Sequence, residues 1–236
     1  MNKLDEIIKS VTKDIDFGGI MKTLDKMSAP ETIPFGLSTL DKITGVGGVP
    51  RGLITEIYGL QSSCKTALCL RLVSEAQKGD IKCCYIDVEL ALNQELATKM
   101  GVDLSQLIVV RPGNGEEVFE VVESMSEKGF GLIIVDSIAS ISATPELESD
   151  YIENSIGLQA RLMSKAMRKI IGCIDRNKTA LVFTNQIRAK MATMPGAKQT
   201  TTSGGMAVPF YSALRLETTR IGWLPNAKDP IGMELR

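Results

Sequence analysis

Short apolar runs alternate with amphipathic segments along most of the chain, and this alternation limits the fold more than any other feature of the sequence. Several runs, such as "LIIVD" at residues 132–136, are continuous and rich in Ile and Val. Such runs are typical of strands that are covered on both faces. The segments between them carry apolar residues at helical spacing. The alternation predicts an α/β fold with a mainly parallel, twisted sheet flanked by helices.

The pattern also gives approximate bounds for each element. Six strands are expected over Leu53–Tyr58, Cys83–Val88, Leu107–Arg111, Leu132–Asp136, Ala180–Thr184 and Ala213–Thr218. Helices are expected over Leu37–Ile43, Lys65–Gln77, Gln94–Met100, Gly115–Lys128 and Ile156–Arg176. The last of these has an apolar face and an opposite face that carries Arg161, Lys165 and Arg168.

The first residues form a separate part of the chain. Leu4, Ile7, Ile8, Val11 and Ile15 recur at helical spacing, and a run rich in Pro and Gly follows them. This order predicts a short amphipathic helix and a linker at residues 1–30, before a core at residues 31–236.

Composition excludes several kinds of chemistry. The 236 residues contain no His, and the five cysteines form no CxxC pair. Imidazole catalysis and the usual zinc sites are therefore excluded, and carboxylates, Lys, Gln or a bound metal ion must carry any reaction. No uninterrupted apolar stretch approaches 18 residues, so we expect a cytoplasmic protein without a membrane partner.

The segment "GLQSSCKT" at residues 59–66 is close to a phosphate-binding P-loop. Such a loop follows a strand, binds phosphate through backbone N–H groups, and supplies a Lys to the outer phosphates and a hydroxyl to Mg²⁺. Lys65 and Thr66 provide these groups, and the helix that follows places its N-terminus at the anion. Cys64 stands where glycine is usual, so we expect weakened ATP binding. Its thiol, beside Lys65 at a helix N-terminus, is expected to have a lowered pKa.

Three polar residues lie at or near the carboxyl ends of predicted strands. Asp136 ends "GLIIVD", Glu89 ends "CCYIDVE" and Gln186 ends "ALVFTNQ". Because the carboxyl ends of parallel strands share one edge, these residues should meet Gly59 in one crevice. Glu89 is then placed to orient and deprotonate a water, and Gln186 to contact a γ-phosphate.

Net charge is −1, but the charge is unevenly distributed, because residues 176–216 contain no acid. The basic residues of that stretch are Arg176, Lys178, Arg188, Lys190, Lys198 and Arg215. Its central part, "IRAKMATMPGAKQTTTSGG", follows Gln186 directly and offers Lys, Arg and hydroxyl donors to a phosphate backbone. A solvated charged face is the alternative interpretation.

Together, "ITEIYGLQSSCKTAL", "YIDVELAL", "IIVDSIAS", "GLQARLMSKAMRKI", "FTNQIR", "TTTSGG" and "FYSALRLETTRIG" resemble the bacterial and phage RecA recombinases in order and spacing. The resemblance covers nearly the whole chain. It implies a P-loop NTPase core of the RecA type, an N-terminal helix that docks on a neighbouring protomer, and a chain that is shortened at its C-terminus.

The resemblance also implies site residues. ATP and Mg²⁺ would be held by Gly59, Leu60, Gln61, Ser62, Ser63, Cys64, Lys65, Thr66, Ala67 and Asp136, with Thr66 and Asp136 at the metal. Lys65, Glu89 and Gln186 would be catalytic, with Glu89 as the base and Gln186 as the switch. DNA would contact Arg161, Arg168, Ile187, Arg188, Lys190, Lys198, Thr200, Thr201, Thr202, Gly204 and Gly205. Leu96 stands where relatives commonly place an aromatic residue over adenine.

The implied activity is DNA-stimulated ATP hydrolysis by a helical filament on single-stranded DNA, which pairs it with double-stranded DNA and exchanges strands. Two alternatives remain open at this point. One is a hexameric helicase of the DnaB kind. The other is a filament subunit or mediator that binds DNA with little turnover.

Overall fold

A computed structural model describes residues 3–4, 6–7, 10, 28–143, 157–189, 200–224 and 232–236. The chain divides into two compact units, residues 1–31 and 32–236. In the first unit, the described residues between 3 and 10 are helical, and the Ser10 hydroxyl donates to the Ile7 carbonyl at 2.8 Å. The second unit contains all the elements described below.

We number the elements of the second unit in chain order. The strands are β1 (Thr32–Ile33), β2 (Val49–Pro50), β3 (Ile54–Gly59), β4 (Cys83–Asp87), β5 (Leu107–Val110), β6 (Leu132–Asp136), β7 (Ala180–Ala189), β8 (Thr200–Thr202), β9 (Ser212–Thr218), β10 (Arg220–Leu224) and β11 (Gly232–Leu235). The α-helices are α1 (Ser38–Ile43), α2 (Lys65–Lys78), α3 (Gln94–Lys99), α4 (Gly115–Glu127), α5 (Leu158–Asn177) and α6 (Ala207–Tyr211). Two short 3₁₀ turns lie at Leu104–Gln106 and Ile138–Ser140.

The main sheet has the strand order β5-β4-β6-β7-β3-β9, and β8 pairs with the end of β7. All five pairs along this order are parallel, whereas the β7–β8 pair is antiparallel. Two small antiparallel sheets, β1–β2 and β10–β11, lie outside the main sheet. The α/β fold with a mainly parallel sheet is therefore confirmed. The strands β6, β7 and β3 lie side by side at the centre, so their carboxyl ends meet at one edge.

Two apolar clusters cover the two faces of the sheet. Cys84 and Ile86 of β4 pack with α4 and α5, whereas Cys83 and Tyr85 point to the opposite face and pack with α2. Because successive strand residues face opposite sides, a continuous apolar run supplies both clusters. The apolar runs of the sequence are thus the central strands of the fold.

Helix α5 shows the predicted division of faces. Met163, Met167, Ile170 and Ile174 are among its buried residues, while Arg161, Lys165 and Arg168 are exposed. In the described parts of the chain, no helix is long and apolar enough to cross a bilayer.

Strand β7 is longer than the sequence predicts. It runs to Ala189 because Ile187–Ala189 pairs with Thr200–Thr202. Gln186 therefore lies inside a strand rather than at its end. The two strands bring together the ends of the basic segment that follows Gln186.

Candidate functional site

A tight turn follows β3 and leads into α2. An added Cβ at Gly59 would lie 2.3 Å from the Thr218 carbonyl oxygen, so this position admits only glycine. The Ser63 and Thr218 hydroxyls are 2.7 Å apart, which ties the turn to β9. Cys64 adopts the left-handed conformation, with φ 63° and ψ 21°. Strand β9 thus contacts one side of the turn, and α2 begins immediately after the turn.

The Lys65 ammonium folds back over the turn. It donates to the Leu60 carbonyl at 2.8 Å and reaches the Gly59 carbonyl at 3.4 Å. Burial lowers the pKa of Lys65, and the negative charges of Asp136 and Glu89 oppose this shift. A cation in this position faces the same space as the N-terminus of α2, and both favour an anion there.

Asp136 lies at the end of β6, at the bottom of this space. Its Oδ2 atom accepts from the Thr66 hydroxyl at 2.7 Å and from the Tyr85 hydroxyl at 2.6 Å. Its Oδ1 atom accepts from the Thr184 hydroxyl at 2.5 Å. Three side chains from α2, β4 and β7 therefore orient one buried carboxylate.

Glu89 and Gln186 meet across the edge of the sheet. The Gln186 side-chain amide donates to Glu89 Oε1 at 3.4 Å, and the Ser137 hydroxyl donates to the same oxygen. A carboxylate held in this way can orient a water and accept its proton. Gln186 lies in β7, and the next three residues of the same strand pair with β8.

These residues line one cleft. Its walls are Gln61, Ser62, Ser63, Cys64, Lys65, Thr66, Ala67, Glu89, Leu96, Asp136 and Gln186. The predicted convergence of Glu89, Asp136 and Gln186 on the Gly59–Thr66 turn is present in the structure. Leu96 lines the same cleft and provides an apolar side chain there.

A second polar cluster fixes the base of the β7–β8 pair. The Asn185 amide nitrogen donates to Glu56 Oε1 at 2.8 Å and to the Ser203 carbonyl at 3.0 Å. Asn185 Oδ1 accepts from the backbone N–H of Ser203 at 3.2 Å and of Gln186 at 2.8 Å. Arg215 donates to the fully buried Glu56 at 2.6 Å. Asn185, which precedes Gln186, thus fixes the position of Ser203 directly after β8.

The amino-acid sequence has clear relatives. Residues 2–236 match the RecA N-terminal domain family. The chain belongs to the RecA family. It is 40% identical over 235 residues to Protein RecA of Streptomyces coelicolor, covering 99% of this chain and 63% of that relative. Identity to Protein RecA of Fusobacterium nucleatum is 40% over 232 residues, covering 98% and 61%. Identity to Protein RecA of Kineococcus radiotolerans is 39% over 235 residues, covering 99% and 67%.

The resemblance to the RecA family is therefore confirmed. This chain spans between 61% and 67% of the length of these three relatives.

The residues predicted to contact DNA differ in their exposure. Arg161, Arg168, Arg188 and Thr201 are exposed. Thr202 and Gly204 are buried, and an added Cβ at Gly204 would lie 3.0 Å from Ile138. Lys190 and Lys198 lie outside the described residues, as does most of residues 146–157, the first loop that the resemblance implies.

Two glycines connect this region to α5. An added Cβ at Gly205 would lie 3.0 Å from Ala160 Cβ, next to the exposed Arg161. The start of α5 and the base of the β7–β8 pair are therefore in close contact. Among the predicted DNA-binding residues, Thr202 and Gly204 have a packing role in this base.

The expected lowering of the Cys64 pKa is wrong. Burial raises the pKa of this thiol, and the opposing effect of Lys65 is smaller. The four other cysteines are buried, while Cys64 is partly exposed. Removing the thiolate from water raises the pKa by more than the neighbouring Lys65 ammonium lowers it. Cys64 is therefore not an activated thiol.

Three hydroxyl residues of the site were missed from the sequence. Tyr85 and Thr184 contact Asp136, and Ser137 contacts Glu89. Each is a polar residue within or directly after a buried apolar strand, and that is a signal the sequence offers. The partner of each hydroxyl depends on the register of neighbouring strands, which the sequence does not specify.

The oxygen atoms near Thr66 suit a hard cation. Mg²⁺ is commonly bound by one or two carboxylates together with phosphate oxygens and waters. Within the described residues, no group of three or more His, Cys, Asp or Glu side chains is placed to hold a metal by itself. The Thr66 hydroxyl and the Asp136 carboxylate fit a Mg²⁺ that also uses phosphate oxygens.

Proposed function

We propose that this protein binds and hydrolyses ATP with Mg²⁺, and that bound ATP controls its grip on single-stranded DNA. The observation that carries the proposal is the Glu89–Gln186 contact, because Gln186 lies one residue before the segment that pairs with β8. Gln186 thus lines the cleft and also lies in β7, directly before the basic segment. Ordering of a segment by a phosphate is a common form of molecular switch.

In the cleft, each residue has a separate task. The turn at residues 59–67 and the start of α2 bind the phosphates, and Lys65 carries the positive charge toward them. Thr66 and Asp136 would hold Mg²⁺, which would neutralise charge that develops on the phosphates. Glu89 orients the attacking water and accepts its proton.

DNA is proposed to bind on the other side of Gln186. Arg188 and Thr201 face each other across the β7–β8 pair, and Arg161 and Arg168 lie exposed on α5. Lys190, Lys198 and Thr200 belong to the same acid-free stretch. Cationic and hydroxyl groups in this pattern bind a phosphate backbone without reading its bases.

The family membership extends the proposal to assembly. Residues 1–30 are proposed to dock on a neighbouring protomer, so that copies of the chain form a helical filament on DNA. Within the filament we expect homologous pairing and strand exchange between single-stranded and double-stranded DNA, in recombination and repair. We expect this activity in the cytoplasm. A ring-forming helicase is not favoured, because the matching family is RecA.

Phosphate release measured with and without single-stranded DNA tests the proposal. We expect DNA to accelerate release, and Lys65→Ala or Glu89→Gln to reduce it at least 100-fold, in keeping with loss of a positioned base or charge. Lys78→Ala is a suitable control, since Lys78 is exposed at the last residue of α2 and does not line the cleft.

One observation favours a second candidate, a DNA-binding subunit with little turnover. Cys64 holds a left-handed conformation in the turn that should bind phosphate. DNA binding without any DNA-stimulated phosphate release, in both the unmodified chain and Lys65→Ala, would support this candidate and contradict the first.

A further inference from the structure

Asp136 accepts hydrogen bonds from three side-chain hydroxyl groups. Thr66, Tyr85 and Thr184 all donate to it, and only Thr66 belongs to the phosphate-binding turn. Tyr85 and Thr184 come from β4 and β7, the two strands that flank β6. They therefore approach Asp136 from opposite sides.

The Tyr85 side chain lies in apolar surroundings, and its hydroxyl donates a hydrogen bond to Asp136. Its side chain is fully buried in the apolar cluster against α2, together with Leu70 and Leu72. Burying a hydroxyl in such surroundings costs free energy unless it is hydrogen-bonded. The 2.6 Å bond to Asp136 provides that partner.

Thr184 performs the same task on the other carboxylate oxygen. It is fully buried, lies in β7 and donates to Asp136 Oδ1. The β6–β7 register pairs Val135 with Phe183, which places Thr184 directly beside Asp136. The side-chain torsion of Asp136 is thus fixed by one donor on each oxygen, independently of Thr66.

We propose that Tyr85 and Thr184 are positioning residues for the metal site, which hold the Asp136 carboxylate in the orientation that Mg²⁺ at Thr66 requires. The inference rests on the proposed function. The Thr66 hydroxyl donates its hydrogen to Asp136, and its oxygen keeps its lone pairs for a cation. Tyr85 and Thr184 fix the carboxylate that sets this orientation of the hydroxyl. Outer-shell hydrogen bonds of this kind commonly change metal affinity by about 10- to 100-fold.

The test measures metal binding directly. Electron paramagnetic resonance of Mn²⁺ gives its dissociation constant in the presence of ADP, for the unmodified chain, Tyr85→Phe and Thr184→Val. We expect each variant to weaken Mn²⁺ binding by about 10-fold. ADP binding in the presence of EDTA, followed with a fluorescent analogue, should change by less than about two-fold, because neither hydroxyl contacts the phosphate-binding turn.

Two control variants separate positioning from packing. Tyr58→Phe removes a phenol hydroxyl that lies 3.3 Å from Glu217, away from Asp136, and should leave the Mn²⁺ affinity unchanged. Thr184→Ser keeps the hydroxyl and should retain the affinity that Thr184→Val loses. If Tyr85→Phe does not fold, the Thr184→Val and Thr184→Ser pair decides the question.

Each outcome has one meaning. Unchanged Mn²⁺ affinity in folded Tyr85→Phe and Thr184→Val would overturn the positioning role while leaving the proposed function intact. An equal loss of ADP affinity in EDTA would also overturn it, because the effect would then not concern the metal. An unmodified chain that binds neither ADP nor Mn²⁺ would overturn the proposed function together with this inference.

Discussion

Cys64 is the residue at which the turn at residues 59–66 differs from the P-loop motif. Its backbone is left-handed, and residues other than glycine pay about 1–2 kcal/mol for that conformation. Because the thiol pKa is raised by burial, the side chain brings no compensating thiolate charge to the site. The structure therefore explains Cys64 as a conformational cost in the turn and not as a reactive group.

Cys64→Gly should consequently stabilise the protein and strengthen ATP binding. We expect the free energy of unfolding to rise by about 1 kcal/mol, since glycine adopts positive φ without steric cost. Cys64→Ala is the matched control, because it removes the sulfur and keeps the Cβ. Urea unfolding and ATP titration of both variants provide the measurement. Similar behaviour of the two variants would show that backbone strain at this residue has no influence.

At the scale of elements, the sequence predicts the central strands well. A run such as Leu132–Asp136 is apolar because both of its faces are buried, so local composition reports its place in the sheet. The end of β7 could not be predicted in this way. Its last residues are a strand only because residues 200–202 pair with them, and that contact spans ten intervening residues. The roles of Tyr85 and Thr184 likewise depend on strand register.

Strand β4 carries a prediction about stability at alkaline pH. Burial raises the pKa of both Cys83 and Cys84 from 9.0 to about 12. The folded chain therefore retains two protons that the unfolded chain loses above about pH 9, and stability falls as the pH rises toward 12. Each thiol contributes a slope of about 1.4 kcal/mol per pH unit in this window.

Urea unfolding under reducing conditions between pH 8 and 11 checks this expectation. Cys84→Ala should be less stable at pH 8, because it leaves a small cavity, but should lose stability less steeply with pH. A constant free energy of unfolding across this range in the unmodified chain would contradict the assignment of buried, protonated thiols to β4.

At the scale of the whole molecule, three consecutive residues of β7 connect the regions of the site. Thr184 contacts Asp136, Asn185 contacts Ser203 at the foot of β8, and Gln186 contacts Glu89. The cleft and the basic segment therefore share one rigid strand. Through this strand, a phosphate bound in the cleft can change the affinity for a polynucleotide bound outside the cleft. Binding of either ligand should then strengthen binding of the other.

The affinity for single-stranded DNA in different nucleotide states tests this coupling most directly. Fluorescence anisotropy of a labelled oligonucleotide, at fixed salt, should be measured without nucleotide, with ADP and with a non-hydrolysable ATP analogue, each with Mg²⁺. We predict binding at least about 10-fold tighter with the ATP analogue, a typical size for coupling between two sites. Gln186→Ala should still bind the analogue but lose this difference. Equal DNA affinity in all three states of the unmodified chain would contradict the account.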